Sequence, residues 1–406
     1  MEQTPIAARR HLSIFGNTNA GKSALFNAIL GQEAVIVSEH KGTTTDPVIK
    51  AMELIPYGPI ALIDTAGLND NSDVGALRIE KTKGILDRTD LALYLVDMAS
   101  FDQDAQNAYE KFLIQFETKA IPHILVFTKK DLVPAETEKI FSGKYPNAVF
   151  TAHTEQKSIE KLKAKMVQEL NKLENNDATL IGDLLPENST VLLVVPIDSA
   201  APKGRLILPQ VQLIRDCLDH GMKCYVTREK ELYRALSDVK KVDLVVTDSQ
   251  VFSLVNEIVP REIPLTSFSL LFARQKGDLD QFMQGVKVLE SLPEQAKILI
   301  AEGCTHNHTH EDIGRVKIPA LIKKYTGKNM RFDFYGGHDF PQNLADYALV
   351  IHCGACMLNK KAVVSRLLKC RNLGIPITNY GIILAYLNGI LARCSEIFQR
   401  RACPHE

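Results

Sequence analysis

The stretch Gly16–Ser23 has the sequence GNTNAGKS and fits G-x-x-x-x-G-K-S, the pattern of a phosphate-binding loop. The apolar run His11–Phe15 precedes it and predicts a short strand. Five apolar residues follow it with the spacing of a helix's buried face: Ala24, Leu25, Ala28, Ile29 and Leu30. A strand, a glycine-containing loop and a helix in this order favour a nucleotide-binding α/β domain.

Each part of this loop has a chemical role toward a nucleotide. Backbone N–H groups turn inward around the β-phosphate, Lys22 supplies a positive charge to the β and γ oxygens, and the Ser23 hydroxyl can bind Mg²⁺. The residues predicted to contact the nucleotide here are Asn17, Asn19, Ala20, Gly21, Lys22, Ser23 and Ala24.

Two later segments supply the rest of the phosphate side. The polar stretch Lys41–Pro47 lies where a nucleotide-sensing switch loop is expected, and its Thr44 is a predicted Mg²⁺ ligand. The apolar strand Ile60–Ile63 is followed by Asp64, which can hold the Mg²⁺ shell, and by Gly67 near the γ-phosphate. The residues predicted to carry hydrolysis are Lys22, Thr44, Asp64 and Gly67.

The base is predicted to be guanine. Predicted strands Leu91–Val96 and Ile124–Phe127 follow, and the second leads into TKKD at residues 128–131, close to the guanine-reading pattern N-K-x-D. The Asp131 carboxylate can accept from guanine N1–H and the 2-amino group, which adenine does not present. Thr128 replaces the usual Asn, so we expect weaker bracing of the loops. The predicted base contacts are Thr128, Lys129, Asp131, Thr151 and Ala152.

Length and composition set limits on the protein class. The 406 residues exceed one ordinary core, so two or three domains are expected. Lys+Arg and Asp+Glu number 48 each, and this balance argues against a nucleic-acid partner. No segment resembles a signal peptide or a membrane span, which predicts a cytoplasmic protein. The eight cysteines then sit in a reducing compartment, where clustered thiols favour metal or redox chemistry.

The polar stretch Asn171–Ser189 predicts a boundary between the first domain, residues 9–173, and a second at 190–270. Strands are predicted at Val191–Ile197, Cys224–Thr227, Val242–Thr247 and Ile263–Thr266, with helices between them. This alternation indicates a parallel sheet. The region has no catalytic constellation, which suggests an oligomerisation surface, and Cys217 and Cys224 are interpreted as core thiols.

A third α/β region, 271–406, completes the predicted fold class: a P-loop GTPase domain followed by two smaller α/β domains with parallel sheets. Its predicted strands are Lys297–Ala301, Met330–Phe334, Leu349–Ile351 and Ile375–Thr378. Polar and sulfur-bearing residues follow these strands, including Cys304 and His306 after the first and His352, Cys353 and Cys356 after the third. The carboxyl ends of parallel strands share one edge, so these residues can converge.

Cys353 and Cys356 have chelate spacing, and Cys304 with a histidine could complete three or four ligands. Zinc and an iron–sulfur cluster both suit this ligand set, and reduced structural thiols are the remaining alternative. Three thiolates with one exchangeable ligand suit a 4Fe-4S cluster. The cysteines predicted to be dispensable for it are Cys217, Cys224, Cys370, Cys394 and Cys403.

Residues 9–173 resemble the TrmE/Era class of P-loop GTPases. In that class an Asn of the phosphate loop helps to hold K⁺, and Asn19 occupies its position, so the resemblance implies K⁺ stimulation. Leu68 stands where Ras-like enzymes carry the water-orienting Gln. We therefore expect slow, switch-like hydrolysis of GTP.

With the C-x-H and H-C-x-x-C motifs added, nearly the whole chain resembles the HydF family of FeFe-hydrogenase maturation GTPases. The resemblance implies GTP, Mg²⁺, K⁺ and a 4Fe-4S cluster on Cys304, Cys353 and Cys356, with His306 or His352 as at most one exchangeable ligand. It implies a homodimer or higher oligomer that receives a diiron precursor from the maturases HydE and HydG and delivers it to the apo-hydrogenase HydA.

Two other functions are compatible with the same motifs. An RNA or ribosome assembly GTPase with a zinc-stabilised appendage follows from the TrmE/Era similarity, although the balanced charge counts against it. A metal-sensing GTPase with a structural zinc site is the second alternative.

Overall fold

Three β-sheets built on apolar strands form the framework of the residues that the structure describes. The computed structural model describes residues 4–31, 47–65, 82–174, 179–197, 206–303, 313–337, 340–341 and 343–399. The chain divides into two compact units, Met1–Asp177 and Ala178–Glu406. The first unit contains one sheet and the second contains two.

The strands of the described residues are β1 (Arg10–Gly16), β2 (Val48–Leu54), β3 (Gly58–Asp64), β4 (Leu91–Asp97), β5 (His123–Thr128), β6 (Val149–Phe150), β7 (Thr190–Val194), β8 (Lys223–Thr227), β9 (Leu244–Thr247), β10 (Leu265–Ser267), β11 (Lys297–Ala301), β12 (Arg331–Tyr335), β13 (Leu349–His352) and β14 (Ile377–Asn379). The α-helices are α1 (Lys22–Leu30), α2 (Gln103–Thr118), α3 (Ala135–Lys144), α4 (Gln156–Glu174), α5 (Leu208–Asp219), α6 (Leu232–Asp238), α7 (Phe252–Ile258), α8 (Phe268–Lys276), α9 (Leu279–Val286), α10 (Ile318–Thr326), α11 (Lys360–Asn372), α12 (Tyr380–Leu387) and α13 (Leu391–Gln399).

The first sheet has the strand order β2-β3-β1-β4-β5-β6. Its strands pair in parallel, except that β2 pairs antiparallel with β3 at the edge. Strands β1 and β4 are buried almost throughout, which explains why each is a continuous apolar run in the sequence. The second and third sheets have the orders β10-β9-β7-β8 and β12-β11-β13-β14, with every pair parallel.

The predicted α/β fold class is confirmed: a six-stranded sheet, in which β1 leads through the phosphate-loop sequence into α1, is followed by two four-stranded parallel sheets. The predicted domain limits 9–173, 190–270 and 271–406 remain predictions, and Leu271 lies inside α8. In the described part of the chain, no helix is both long and apolar enough to span a bilayer.

Two details of the first unit differ from the predictions. In α1 the residues Leu25, Ile29 and Leu30 are buried as expected, but Ala24 is exposed and Phe26 is buried in its place. Phe26 completes the apolar face because it lies one turn before Ile29 and Leu30. Strand β2 forms over Val48–Leu54, where the sequence predicts none.

In each sheet the order in which the chain adds strands reverses next to the first strand. In the first sheet β1 lies between β3 and β4, and in the third sheet β11 lies between β12 and β13. A chain that adds strands first to one side and then to the other leaves a crevice at the carboxyl ends of the central pair. The phosphate-loop sequence follows β1, and Glu302 and Gly303 follow β11, so both candidate sites lie at such a crevice.

Candidate functional site

The phosphate loop connects β1 to α1 through two glycines that no other residue could replace without strain. Gly16 has φ +140°, and a Cβ there would lie 2.4 Å from the carbonyl oxygen of Leu95. Gly21 has φ +81° and immediately precedes the first residue of α1. The loop therefore presents its backbone close to the neighbouring strand and opens onto a helix N-terminus, which is the arrangement that binds phosphate.

Lys22 is 7% exposed, and its ammonium is held by the loop itself. The Nζ donates to the carbonyl oxygens of Gly16 at 3.0 Å and Asn17 at 2.7 Å. Burial lowers the pKa of Lys22 to about 8, although the nearby Asp64 carboxylate acts in the opposite direction. The site thus holds a buried ammonium group that can pair with a bound phosphate.

Ser23 and Asp64 lie together at the mouth of the loop. The Ser23 hydroxyl donates to Asp64 Oδ2 at 2.7 Å, while the buried Asp64 Oδ1 has no hydrogen-bond partner among the described residues. Burial raises the pKa of Asp64, and its bond from Ser23 and the charge of Lys22 offset part of this shift. A hydroxyl beside a carboxylate with a free buried oxygen fits a Mg²⁺ ion. The predicted residues Thr44 and Gly67 lie outside the described residues.

Thr128 and Lys129 connect the base-reading segment to the phosphate loop and to β4. The Thr128 hydroxyl lies 2.9 Å from the carbonyl oxygen of Ala20 and 3.2 Å from that of Val96, and it donates to them. The Lys129 ammonium pairs with Asp97 at 2.6 Å. A brace between the two loops is therefore present with Thr in place of Asn.

The remaining predicted base contacts lie at the ends of β5 and β6. Asp131 is exposed, as a carboxylate that reads a ligand must be. The Lys130 N–H donates to the Thr151 carbonyl at 3.2 Å and joins the two segments. Thr151 N–H donates to the Phe127 carbonyl at 2.7 Å and Ala152 N–H to the Ser158 hydroxyl at 3.1 Å. Both amides are thus used within the protein.

Asn19, the predicted K⁺ ligand, is exposed in the loop with φ +63°.

The third sheet brings the two cysteine-bearing segments together. Ala301 of β11 and His352 of β13 are paired in register, and the Cys353 N–H donates to the Ala301 carbonyl at 2.9 Å. The Gly303 N–H donates to Cys353 Sγ at 2.9 Å. Gly303 directly precedes Cys304, which lies outside the described residues together with His306. The segment that continues into Cys304 therefore starts at a residue, Gly303, that is in contact with Cys353.

Backbone N–H groups surround both described thiols of this loop. Ala355 N–H donates to Cys353 Sγ at 3.4 Å in addition to the Gly303 bond. Burial raises the pKa of Cys353, and the bonds from Ala355 and Gly303 act in the opposite direction. Burial also raises the pKa of Cys356, and the charge of Lys276 and the backbone N–H groups of Cys356 and Met357 act in the opposite direction. Soft sulfur donors in a shell of N–H groups and cations fit an iron–sulfur cluster, whose sulfurs accept such bonds.

His352 is 1% exposed, and both ring nitrogens are in hydrogen bonds. Nδ1 lies 2.8 Å from the Cys353 carbonyl and Nε2 lies 2.9 Å from the Nη1 of Arg366. Because a guanidinium can only donate, Nε2 accepts and Nδ1 carries the proton. Burial, reinforced by Arg366, lowers the pKa of His352 to about 3. The imidazole is therefore neutral and fixed in orientation.

Two buried cations beside the cysteine loop were not singled out from the sequence. Lys276 is 8% exposed at the end of α8, and Arg366 is 4% exposed in α11. The signal in the sequence was a basic residue within an apolar helical face, since α8 also buries Phe268, Leu271 and Phe272.

The other acidic and sulfur groups of this unit have partners or lie elsewhere. Glu302 pairs with Arg315 at 3.1 Å and receives the Tyr380 hydroxyl at 3.4 Å. Cys217, Cys370 and Cys394 are fully buried and Cys224 is half-buried, each in another element, and Cys403 lies outside the described residues. Within the described ranges, no three His, Cys, Asp or Glu side chains cluster as a metal site.

Comparison with protein-family models divides the chain into three parts. Residues 11–129 match the 50S ribosome-binding GTPase family. Residues 180–277 match the hydrogen maturase F dimerization domain, and residues 280–397 match the hydrogen maturase F tetramerization domain.

Individual relatives match part of the chain. The tRNA modification GTPase MnmE of Chromobacterium violaceum is 34% identical over 159 residues, which are 39% of this chain and 34% of that protein. GTPase Der of Mycoplasmopsis pulmonis is 31% identical over 196 residues, or 44% of each chain. The chain thus spans about a third of the length of the tRNA modification GTPase. Among solved structures, Aquifex aeolicus Era matches at 18% identity and a TM-score of 0.32, over 54% of this chain and 93% of that one.

Proposed function

Because the chain belongs to the hydrogen maturase F family, we propose that it is a GTPase scaffold that holds a 4Fe-4S cluster and delivers a diiron precursor to an apo-hydrogenase. One observation carries the cluster part of this proposal. The Gly303 N–H bonds to Cys353 Sγ, and the residue that follows Gly303 in the sequence is a third cysteine, Cys304.

Cys304, Cys353 and Cys356 would hold the cluster. Three thiolates leave one iron with a replaceable ligand, and a cargo complex can dock there through a bridging ligand. We assign at most one histidine to this position. His352 would have to give up its bond to Arg366 in order to coordinate iron, which favours His306 or water. The cluster would supply an anchoring point for the diiron cargo, and the protein would supply its enclosure.

The first unit contains the GTPase domain, and we assign it the role of a switch. Ser23, Thr44 and Asp64 would hold Mg²⁺, and Lys22 would neutralise charge on the phosphates. Leu68 cannot orient water, so hydrolysis is slow, and Asn19 would bind a stimulating K⁺ ion. Turnover of GTP but not ATP, and a higher rate in K⁺ than in Na⁺, would support these roles. Equal turnover of GTP and ATP by the wild type would contradict the guanine assignment. Asp131→Asn should weaken the preference for GTP over ATP.

The family's domain names indicate a homo-oligomer. Its cargo would come from the maturases HydE and HydG and pass to HydA in the cytoplasm. Two family-specific models that cover residues 180–277 and 280–397 support this role over an RNA or ribosome assembly GTPase. A zinc site on the same cysteines is the alternative that the metal experiment distinguishes.

The test is anaerobic reconstitution of the full chain with iron and sulfide, followed by iron, sulfide and zinc analysis and EPR of the reduced protein. Cys353→Ser and Cys356→Ser should each lower iron retention, because oxygen is a harder ligand than sulfur. Cys224→Ser is the matched control, since this half-buried cysteine lies on β8 in the second sheet. Bound zinc with no iron-dependent EPR signal in the wild type would overturn the proposal.

A further inference from the structure

Lys276 places a buried positive charge against the cysteine loop. It is the last residue of α8 and is 8% exposed. Its Nζ donates to the carbonyl oxygens of Ala355 at 3.0 Å and Leu358 at 3.1 Å. These two residues enclose Cys356 in a turn closed by the bond from Leu358 N–H to the Ala355 carbonyl at 3.1 Å. The ammonium therefore fastens the turn that carries one of the two described thiols.

This charge has no carboxylate partner in the described part of the chain. Its remaining described contact is the ring of Phe272, whose centroid is 5.7 Å from Nζ. The groups whose negative charge would stabilise it are the thiols of Cys356 and Cys353. A buried ammonium without a counterion is costly, and a protein keeps one where an anion binds. Thiolates that bind iron provide that anion.

We propose that Lys276 is a positioning residue of the iron–sulfur site: it fixes the Cys356 turn and compensates the negative charge of the thiolate-bound centre. This inference rests on the proposed function, because it presupposes a cluster on these cysteines. A fixed positive charge favours the more negative, reduced state of the centre. Lys276 therefore raises the reduction potential and helps to retain iron.

A purely mechanical role makes a different prediction. If Lys276 only fastened the turn, any residue that bonds to the two carbonyls would serve, and the reduction potential would not depend on its charge. Lys276→Gln keeps an N–H donor and removes the charge, whereas Lys276→Arg keeps both. Lys323→Gln is the matched control, because Lys323 is an exposed lysine of α10 in the same unit.

The experiment is an EPR-monitored redox titration of the reconstituted full chain, together with iron analysis and circular dichroism. We expect Lys276→Gln to shift the reduction equilibrium about tenfold toward the oxidised state. This shift corresponds to a reduction potential about 59 mV lower for a one-electron couple. Lys276→Arg should restore at least half of this shift, and Lys323→Gln should match the wild type. Iron content of Lys276→Gln should fall after passage over a chelating resin.

The outcomes separate the two proposals. A wild type that binds no iron contradicts the proposed function itself. A wild type with a normal cluster and a Lys276→Gln variant of equal potential and equal iron content leaves the function intact and overturns the role of Lys276. If Lys276→Gln does not fold, Lys276→Met and Lys276→Arg are compared by the same titration, and equal potentials overturn the inference.

Discussion

The hydroxyl of Thr128 donates to the carbonyl oxygen of Ala20 across 2.9 Å, joining the base-reading segment to the phosphate loop. The two residues are 108 positions apart in the chain. Since Thr128 is 5% exposed, the bond is protected from water. The bond therefore fixes the separation between the phosphate and base halves of the nucleotide site.

Thr128→Val should weaken guanine-nucleotide binding by about fivefold to tenfold, because without this bond the two loops are free to separate and binding must restore their arrangement at a cost of about 1 kcal/mol or more. Thr128→Ser keeps the hydroxyl and is the control. Titration with a fluorescent GDP analogue measures the effect. Equal affinity of the Val variant and the wild type would show that the bond does not organise the site.

Nucleotide affinity should fall as pH rises through the pKa of Lys22. Burial lowers that pKa to about 8 in the free protein, and the phosphate requires the charged form. Below about pH 7 the ammonium is charged and affinity is constant, whereas above the pKa binding must take up a proton. We expect affinity to fall about fourfold between roughly pH 7 and pH 8.5.

The control for this dependence is Lys22→Arg, whose side chain stays charged across the range. Only the ratio of affinities at the two pH values is compared, so a lower absolute affinity does not matter. A pH dependence in the Arg variant as steep as that of the wild type would assign the effect to another group.

We predict that β8 is the strand of the second sheet that contacts another subunit. It lies at the sheet edge and exposes Tyr225 by 48% and Val226 by 49%, whereas the opposite edge strand, β10, is buried. An exposed apolar edge strand is a template for pairing with another chain. Tyr225→Lys should halve the particle mass in light scattering, and Tyr233→Lys on α6, where the tyrosine is 77% exposed, should not. An unchanged mass for Tyr225→Lys would refute this interface.

His352→Ala should destabilise the second unit and disturb the metal site without abolishing iron binding. The change removes the acceptor of the buried Arg366 guanidinium, at an expected cost of about 1–3 kcal/mol of the free energy of unfolding. It also frees the Cys353 carbonyl, so the EPR signal should change while iron is retained. Urea unfolding and EPR measure the two effects. Loss of all iron in a folded variant would instead make His352 an essential ligand.

The strands of the parallel sheets were predictable because burial on both faces makes them continuous apolar runs. Strand β11 was predicted with its observed ends, Lys297 and Ala301, and β13 lacked only His352. The edge strand β2 was not predicted, because its partly exposed residues alternate without a clear period. Strand β2 lacks the two buried faces on which this signal depends.

The candidate sites were predictable only as motifs. The order of strand, loop and helix located Lys22 and Ser23, and the strand ends located Cys353 beside the chain leading to Cys304. The roles of Thr128 and Lys276 depend on side chains that meet across 108 and 79 positions of sequence. The apolar helical face around Lys276 marks this lysine as a candidate for burial, but no local pattern records which distant residues it contacts.

The contact between Gly303 and Cys353 also predicts an order of events during folding. The two residues are 50 positions apart, and closing a flexible loop of that length costs about 3.5 kcal/mol of chain entropy. In the unfolded chain Cys353 and Cys356 are always close, but the segment leading to Cys304 joins them only after β11 and β13 have paired. During refolding of the full chain we therefore expect the pair Cys353 and Cys356 to be available first and the segment leading to Cys304 to join it last, so a cluster held by all three cysteines would be inserted after the sheet has assembled.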